Sequence, residues 1–260
     1  MEEKQTKSLG KRIGTGIIVV CAVLFALFFF YTEHYYHADA EARAALQSGG
    51  GVTVNQAALG YLFDGPGTED LLIFYPGAKV EETAYAPMLR KLAEEGMDVY
   101  LVAMPQRLAF FGIQRATEVF TEKLADANDY TVWTQARERY EHFYIGGHSL
   151  GGAMAARYAA EHPDKLEGLL LLAAYADREV PEALGLLSIY GSEDGVLNRG
   201  KYEENKTNFP ANYQEIEIAG GNHAQFGNYG TQKGDGTASI SAQEQQKATV
   251  DAILSFWEAE

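Results

Sequence analysis

The stretch His142-Phe143-Tyr144-Ile145-Gly146-Gly147-His148-Ser149-Leu150-Gly151-Gly152, running into the alanine-rich segment Ala153 to Glu161, decides how this chain is read. Its first four residues are rich in aromatic and β-branched side chains and suit a strand, whereas the alanine-rich run suits a helix. Between them, Gly147-x-Ser149-x-Gly151 puts a serine on a tight strand-to-helix turn, where glycines let two backbones pass closely. A serine hydroxyl is a weak nucleophile unless it is held exposed beside a base. The pentapeptide alone arises often by chance, and the strand before it and the helix after it give it weight. Ser149 is therefore the candidate nucleophile, and His148, its neighbour on the turn, is expected to point away from it.

Outward from this turn, short apolar runs alternate with amphipathic ones. Leu71 to Tyr75 and Val99 to Val102 read as strands, and Glu81 to Glu95 between them reads as a helix with Tyr85, Met88, Leu89 and Leu92 on one face. Ala116 to Ala125 reads as another helix. Strands follow at Leu169–Leu172, Leu186–Tyr190 and Gln214–Ile218. A last helix opens on the capping box Ser241-x-x-Glu244 and buries Val250, Ile253, Leu254 and Trp257. The alternation predicts an α/β class, with a mostly parallel central sheet and helices on both faces.

Reactive groups in such sheets collect at the carboxyl ends of the strands. Asp194, in Gly191-Ser192-Glu193-Asp194-Gly195, and His223, in Gly220-Gly221-Asn222-His223, follow two of the predicted strands. His223 suits the base and Asp194 the carboxylate that orients it, with Asp177 and Glu193 as rival acids. A developing oxyanion needs fixed donors. The N–H of Leu150 is one, and the loop Tyr75-Pro76-Gly77-Ala78-Lys79 offers Ala78 as the other, because Pro76 has no N–H. Arg107, Phe110, Phe111, Tyr175, Gln225 and Phe226 are the candidate substrate-binding residues. Only Tyr175 to Gly185 separates two of the strands, ordinary loop length, so no sizeable cap is expected.

These residues carry a resemblance. From about Val54 to Glu260 the chain resembles the α/β-hydrolase superfamily, in which nucleophile, acid and base follow one another in the order seen here. More narrowly, it is similar to a group of bacterial, mostly Gram-positive, membrane-anchored hydrolases called α/β-hydrolase family 5. The matching stretches are Tyr75 to Val80, Met104-Pro105 with Leu108-Ala109-Phe110-Phe111, Gly146 to Gly152, and Gly220 to Gly227. The resemblance implies the α/β-hydrolase fold and leaves the substrate open. One departure is Gln106-Arg107 after Met104-Pro105, where the group leads one to expect an aromatic residue and an asparagine.

Ile13 to Tyr31 holds nineteen residues without a charge, enough to span a bilayer core as a helix. Lys4, Lys7, Lys11 and Arg12 precede it, which predicts a cytoplasmic tail at 1–12, a transmembrane anchor at 13–31 and the remainder outside the cell membrane. A cleaved signal peptide, with Ala38-Asp39-Ala40 as its site and secretion as its result, is the rival reading. Residues 32–52 read as a tether, with Tyr31, Tyr35 and Tyr36 in an interfacial belt, and 53–260 as the hydrolase domain.

The formal charge of −15 argues against a nucleic-acid partner, and the single cysteine, Cys21, lies in the apolar segment. No metal and no organic cofactor is implied, and the oligomeric state stays open. The pattern points to a serine hydrolase cleaving a small-molecule or cell-surface ester through an acyl-enzyme. A peptidase, thioesterase or acyltransferase uses the same residues, and a non-catalytic surface binding domain on this fold is the reading from another class.

Overall fold

In the computed structural model, which describes residues 2–125 and 133–257, the chain from Tyr36 onward is organised by one eight-stranded sheet. The strands in chain order are β1 (Thr53–Ala57), β2 (Gly60–Asp64), β3 (Asp70–Tyr75), β4 (Asp98–Val102), β5 (Lys123–Ala125) and β6 (Trp133–Gln135). They continue as β7 (His142–His148), β8 (Gly168–Leu172), β9 (Gly185–Gly191) and β10 (Gln214–Ile218). The helices are α1 (Glu2–Glu33), α2 (Ala40–Ala44), α3 (Ala86–Glu94), α4 (Arg115–Thr121), α5 (Ala136–Arg139), α6 (Leu150–Glu161), α7 (Arg199–Asn205) and α8 (Ala242–Trp257).

The main sheet runs β1-β2-β4-β3-β7-β8-β9-β10, and β5 pairs with β6 in a separate two-stranded ribbon. From β4 to β10 every pairing is parallel, while β2 is antiparallel to both β1 and β4. This is the mostly parallel sheet expected, with an antiparallel edge. Side chains alternate across it. Leu71, Ile73 and Tyr75 of β3 face the cluster that includes Ala155 and Tyr158 of α6; Leu72 and Phe74 face the one that includes Leu89 and Leu92 of α3 and Ile253 of α8. Every residue of β8 is buried, as a central strand covered on both faces requires. Each buried leucine or phenylalanine contributes about 1.5–3 kcal/mol, so the two clusters hold the layers together.

Three sequence expectations are corrected. The helix expected over Glu81–Glu95 begins as a 3-10 turn at Glu82–Tyr85 and becomes α-helical only at Ala86, with Pro87 in its first turn, where a missing N–H does no harm. The one expected over Ala116–Ala125 stops at Thr121. Glu122 is extended, its carboxylate is taken by the Tyr100 hydroxyl and the Ala58 N–H, and Lys123 starts β5.

The segment expected as a tether folds onto the domain from Tyr36. Tyr36 bridges to Val80, Ala38 and Ala42 are buried, and Asp39 caps α2 through the Ala42 N–H (2.8 Å). The Arg90 guanidinium collects the carbonyls of Ala45, Gln47 and Gly49. Tyr36, expected in an interfacial belt, packs its ring 5.6 Å from that of Tyr229. Small residues and one multidentate arginine do here what a hydrophobic stripe would have announced.

Met1–Tyr35 forms a unit of its own. Within α1, Thr15–Glu33 is a nineteen-residue stretch of mean hydropathy 2.4, long and apolar enough to cross a membrane.

Candidate active site

Parallel strands deliver their C-terminal loops to one rim, and the turn after β7 is the sharpest of them. Ser149 sits there at φ 54°, ψ −123°, a conformation that a side chain rarely adopts and that costs about 1–3 kcal/mol. The surrounding fold holds it. The Ser149 N–H donates to the Leu172 carbonyl on β8 (2.9 Å), and α6 starts at the next residue. A Cβ at Gly147 would stand 2.5 Å from the Tyr75 carbonyl oxygen, and one at Gly151 would stand 2.2 Å from it. Glycine at both positions is what lets β3, β7 and α6 converge under the serine. Ser149 itself stays partly exposed.

After β9, Asp194 is buried and its carboxylate is fully engaged. One oxygen accepts the N–H groups of Val196 (2.9 Å) and Leu197 (2.7 Å), and the other meets His223 Nδ1 at 2.8 Å. An ionised carboxylate only accepts, so Nδ1 carries the imidazole proton and Nε2 keeps a lone pair. Nε2 is buried and has no hydrogen-bond partner among the described residues. The rival acids lie elsewhere: Asp177 is locked to the Arg157 guanidinium, which holds its carboxyl below the usual range, and Glu193 is exposed beside Ser192.

The His223 loop is held from behind. Gln245, on α8, accepts the Asn222 N–H (2.9 Å) and donates to the Asn222 carbonyl (2.7 Å). The sequence reading missed this residue. A signal was present, since Gln245, Gln246 and Thr249 occupy the same buried side of α8 as Val250 and Ile253, where a merely amphipathic helix would carry apolar residues.

In the loop after β3, the Gly77 N–H donates to the Tyr85 hydroxyl (3.0 Å) and the Lys79 N–H to the Arg107 carbonyl (2.8 Å). Pro76 has none, so Ala78 offers the N–H of this loop that makes no hydrogen bond among the described residues. The Tyr85 hydroxyl that accepts from Gly77 also shares a hydrogen bond with His148 Nδ1 (2.8 Å). His148 is fully buried with its ring 4.4 Å from that of His223. Burial first, and the neighbouring His223 second, hold its imidazole far below the ordinary range, so His148 is neutral.

Ser149 and His223 line one cavity of about 370 Å³. Leu150, Ala153, Met154 and Leu197 supply apolar wall, while Tyr175, Asn198 and the Arg157–Asp177 pair supply polar wall. Of the expected substrate-binding residues, only Tyr175 lies on it. Phe226 is wholly buried behind His148, 5.6 Å ring to ring, and belongs to the core. Gln225 lines a separate polar cavity, and the exposed Phe110 and Phe111 line a surface groove with Ile113. Arg107 braces the Ala78 loop through its backbone carbonyl, at φ 56°. Asparagine, expected at this position, is one of the few residues that tolerate such a conformation. A larger trough of about 800 Å³ between α3 and α8 is lined mainly by charged and polar side chains and contains neither Ser149 nor His223.

Among the described residues, no inserted domain roofs the cavity. The loop between β8 and β9 carries no helix, and its Val180 and Leu184 point into the core. α7 packs against the sheet edge instead, with the Tyr202 hydroxyl 2.8 Å from Ser188 and 3.0 Å from Glu215.

The architecture is shared with solved structures. The chain is similar to a protein from Thermus thermophilus (TM-score 0.56, 15% identity, 80% of this chain and 99% of that one). It is also similar to a dienelactone hydrolase from Anabaena variabilis (0.53, 12%, 79% and 99%) and to Est1E from Butyrivibrio proteoclasticus (0.53, 13%, 80% and 99%). At such identities the likeness is one of fold. A curated Mycobacterium phage D29 protein, provisionally named a non-heme haloperoxidase, is 30% identical over 113 residues, which span 44% of this chain and only 39% of that relative's length. The model of the alpha/beta hydrolase family matches residues 71–247. Glycine-built elbow, parallel sheet and family match agree, and the chain belongs to the alpha/beta hydrolase family.

Proposed function

We propose that this chain is a serine hydrolase that cleaves esters with small acyl groups, and that α1 anchors it in the cell membrane with residues 36–260 on the outer side. One observation carries the chemistry: the strained, partly exposed Ser149 shares a cavity with His223, whose Nδ1 is tied to Asp194 at 2.8 Å. In this reading His223 Nε2 takes the hydroxyl proton as Ser149 Oγ bonds to the ester carbonyl carbon. The carbonyl π pair moves onto oxygen, where the N–H groups of Ala78 and Leu150 stabilise it. Collapse breaks the bond to the leaving oxygen, which departs with the proton from Nε2 and leaves an acyl-serine. Water then repeats the sequence on the acyl-enzyme, and Asp194 stabilises the imidazolium at each stage.

The cavity, about 370 Å³ and without an inserted cap, supports a short acyl group. The nineteen-residue apolar stretch supports the anchor, and the basic residues before it support a cytoplasmic N-terminus. A fluorophosphonate probe tests the nucleophile. The full-length protein should be labelled, and Ser149→Ala should abolish labelling. Unchanged labelling of Ser149→Ala would remove Ser149 from the role.

A further inference from the structure

We propose that Asp235 is a positioning residue, a carboxylate clamp that joins the loop bearing Asp194 to the loop bearing His223. The proposal rests on the triad reading above. The two loops end different strands, β9 and β10. Beyond the strand ends the two loops are tied at their base by the Glu193 N–H on the Gly221 carbonyl (2.8 Å) and the Gly220 N–H on the Ser192 hydroxyl (2.8 Å); nearer the tip, residues 194–195 and 223–224 are joined, among the described residues, by the Asp194–His223 pair and by Asp235. The Asp235 carboxylate accepts the N–H of Gly195 (3.1 Å) and the N–H of His223 (3.2 Å) on one oxygen, and the N–H of Ala224 (2.8 Å) on the other. The first oxygen also takes the N–H of Gly236 (2.8 Å), which fixes the carboxylate against its own backbone. A single ionised group thus holds the backbone of the base and of the residue after the acid, through bonds stronger than neutral ones.

The chain is built to deliver this group. Gln232-Lys233-Gly234-Asp235 forms a tight turn closed by the Asp235 N–H on the Gln232 carbonyl (3.2 Å), with Gly234 at φ +90°. That φ at the third position demands glycine. The next residues are pressed onto the acid loop. A Cβ on Gly236 would stand 1.9 Å from the Glu193 carbonyl oxygen, and one on Gly195 would stand 2.6 Å from that of Gly234. Asn222 Nδ2 donates to the Gly236 carbonyl (2.9 Å), closing the same contact from the base loop. With Gln245 behind Asn222 and Asp235 in front of His223, the base loop is held on both sides. An exposed turn has water for its N–H groups. What a shared carboxylate adds is a fixed separation between two loops, and the imidazole geometry depends on that separation.

The test uses the full-length protein and a short acyl ester, with kcat, KM and melting temperature measured for each variant. Asp235→Ala should lower kcat about 100-fold, the order expected for a misplacement near 1 Å, with KM nearly unchanged. Asp235→Asn keeps an acceptor for three of the N–H groups and turns its NH2 against Ala224, so its loss should be smaller, about 10-fold. Gly236→Ala lifts the turn off Glu193 and should lower kcat in the same direction. Lys233→Ala, on the exposed tip, should change nothing. If Asp235→Ala does not fold, Asp235→Asn and Gly236→Ala decide. The clamp is refuted if folded variants keep wild-type kcat, or if KM rises while kcat holds, which would make Asp235 part of a pocket wall. Failure of wild-type protein to be labelled at Ser149 would overturn the triad reading and the clamp with it, whereas normal labelling with unaffected variants sinks the clamp alone.

Discussion

Replacing Tyr85 with phenylalanine removes one oxygen atom and should disturb both the fold and the rate. The hydroxyl is fully buried and serves two groups, accepting from the Gly77 N–H at 3.0 Å and sharing a hydrogen bond with His148 Nδ1 at 2.8 Å. Among the described residues neither the Gly77 N–H nor His148 Nδ1 has a second hydrogen-bond partner to fall back on. Leaving a buried donor or acceptor unpaired costs about 1–3 kcal/mol, so Tyr85→Phe should cost about 2–6 kcal/mol. The side chain keeps its shape, so no cavity adds to this. For a domain of this size 1 kcal/mol corresponds to about 2–4 °C, and even the lower figure predicts a melting temperature lowered by about 4–8 °C. The Gly77 tie also fixes the loop that presents the Ala78 N–H. Releasing it should lower kcat by about tenfold or more while KM changes little, as loss of oxyanion stabilisation does. Tyr158→Phe is the control. Among the described residues its hydroxyl bonds only to the Thr117 hydroxyl (2.9 Å), which is half-buried and can turn to water, so the cost should stay below about 1 kcal/mol. Calorimetry of the variants with parallel ester assays measures both effects. A Tyr85→Phe melting temperature indistinguishable from wild type would refute the view that this hydroxyl braces the site.

Asp194→Asn should lower kcat by about 10⁴, because the amide cannot hold His223 in the Nδ1–H tautomer; near-normal rates would pass the orienting role to another acid. Short acyl esters should turn over faster than long ones with no jump at the micellar transition, and a preference for long chains would contradict the cavity. Protease added to intact cells should release a fragment beginning near Tyr36, because residues 36–52 are folded into the domain; protection until lysis would contradict an outward-facing domain. Burial, aided by the neighbouring Asp64, pushes Asp98 up to about 7, against the pull of the Gly65 N–H, Tyr140 and Arg139. Its contribution to stability is therefore fully present below the unfolded value of 3.8 and is lost as pH rises through about 7. His148, neutral when folded, acts in the opposite sense, losing stability as pH falls below 6.5. Just below pH 6.5 the two slopes, each at most about 1.4 kcal/mol per unit, oppose one another, so Asp98→Asn should steepen the loss of melting temperature on acidification, and a profile parallel to wild type would refute this.

What could be read from the sequence was whatever periodicity or a short motif carries. The runs Leu71–Tyr75, Leu169–Leu172 and Leu186–Tyr190 are continuous and apolar because both faces of the sheet are covered, and they are strands. Gly147-x-Ser149-x-Gly151 is legible because each glycine answers a backbone approach too close for a Cβ. The β1–β2 hairpin was not, since the alternation in Thr53–Asp64 is weak and Ala58-Leu59 gives no Asn-Gly or Asp-Gly turn signal. Two of the expected substrate-binding residues, Phe226 and Gln225, lie off the cavity for a related reason. Nearness in sequence to the base put Phe226 and Gln225 on the list, but the 3-10 turn after His223 carries both away from Ser149 and leaves Phe226 in the core. The walls come instead from α6 and from residues 173–177 and 196–198.

The residues that hold the site share a property that explains why they were missed. Asp235 stands 12 residues from His223 and 40 from Gly195, Gln245 stands 23 from Asn222, and Tyr85 stands 63 from His148. Each is polar and sits where the local pattern suggests a loop, a helix surface or an apolar stripe. The candidate catalytic side chains leave local traces because such groups need strained or strand-end backbone, as Ser149 has at φ 54°. Their supports need only reach them, from any element that the fold brings close, so no fixed spacing marks them. Such supports are nonetheless required by the same strain: a serine held in a disfavoured conformation and an imidazole bonded at a single nitrogen keep their geometry only if neighbouring backbone is tied from several directions. In this chain those ties converge from the Asp235 turn, from α8 and from Tyr85.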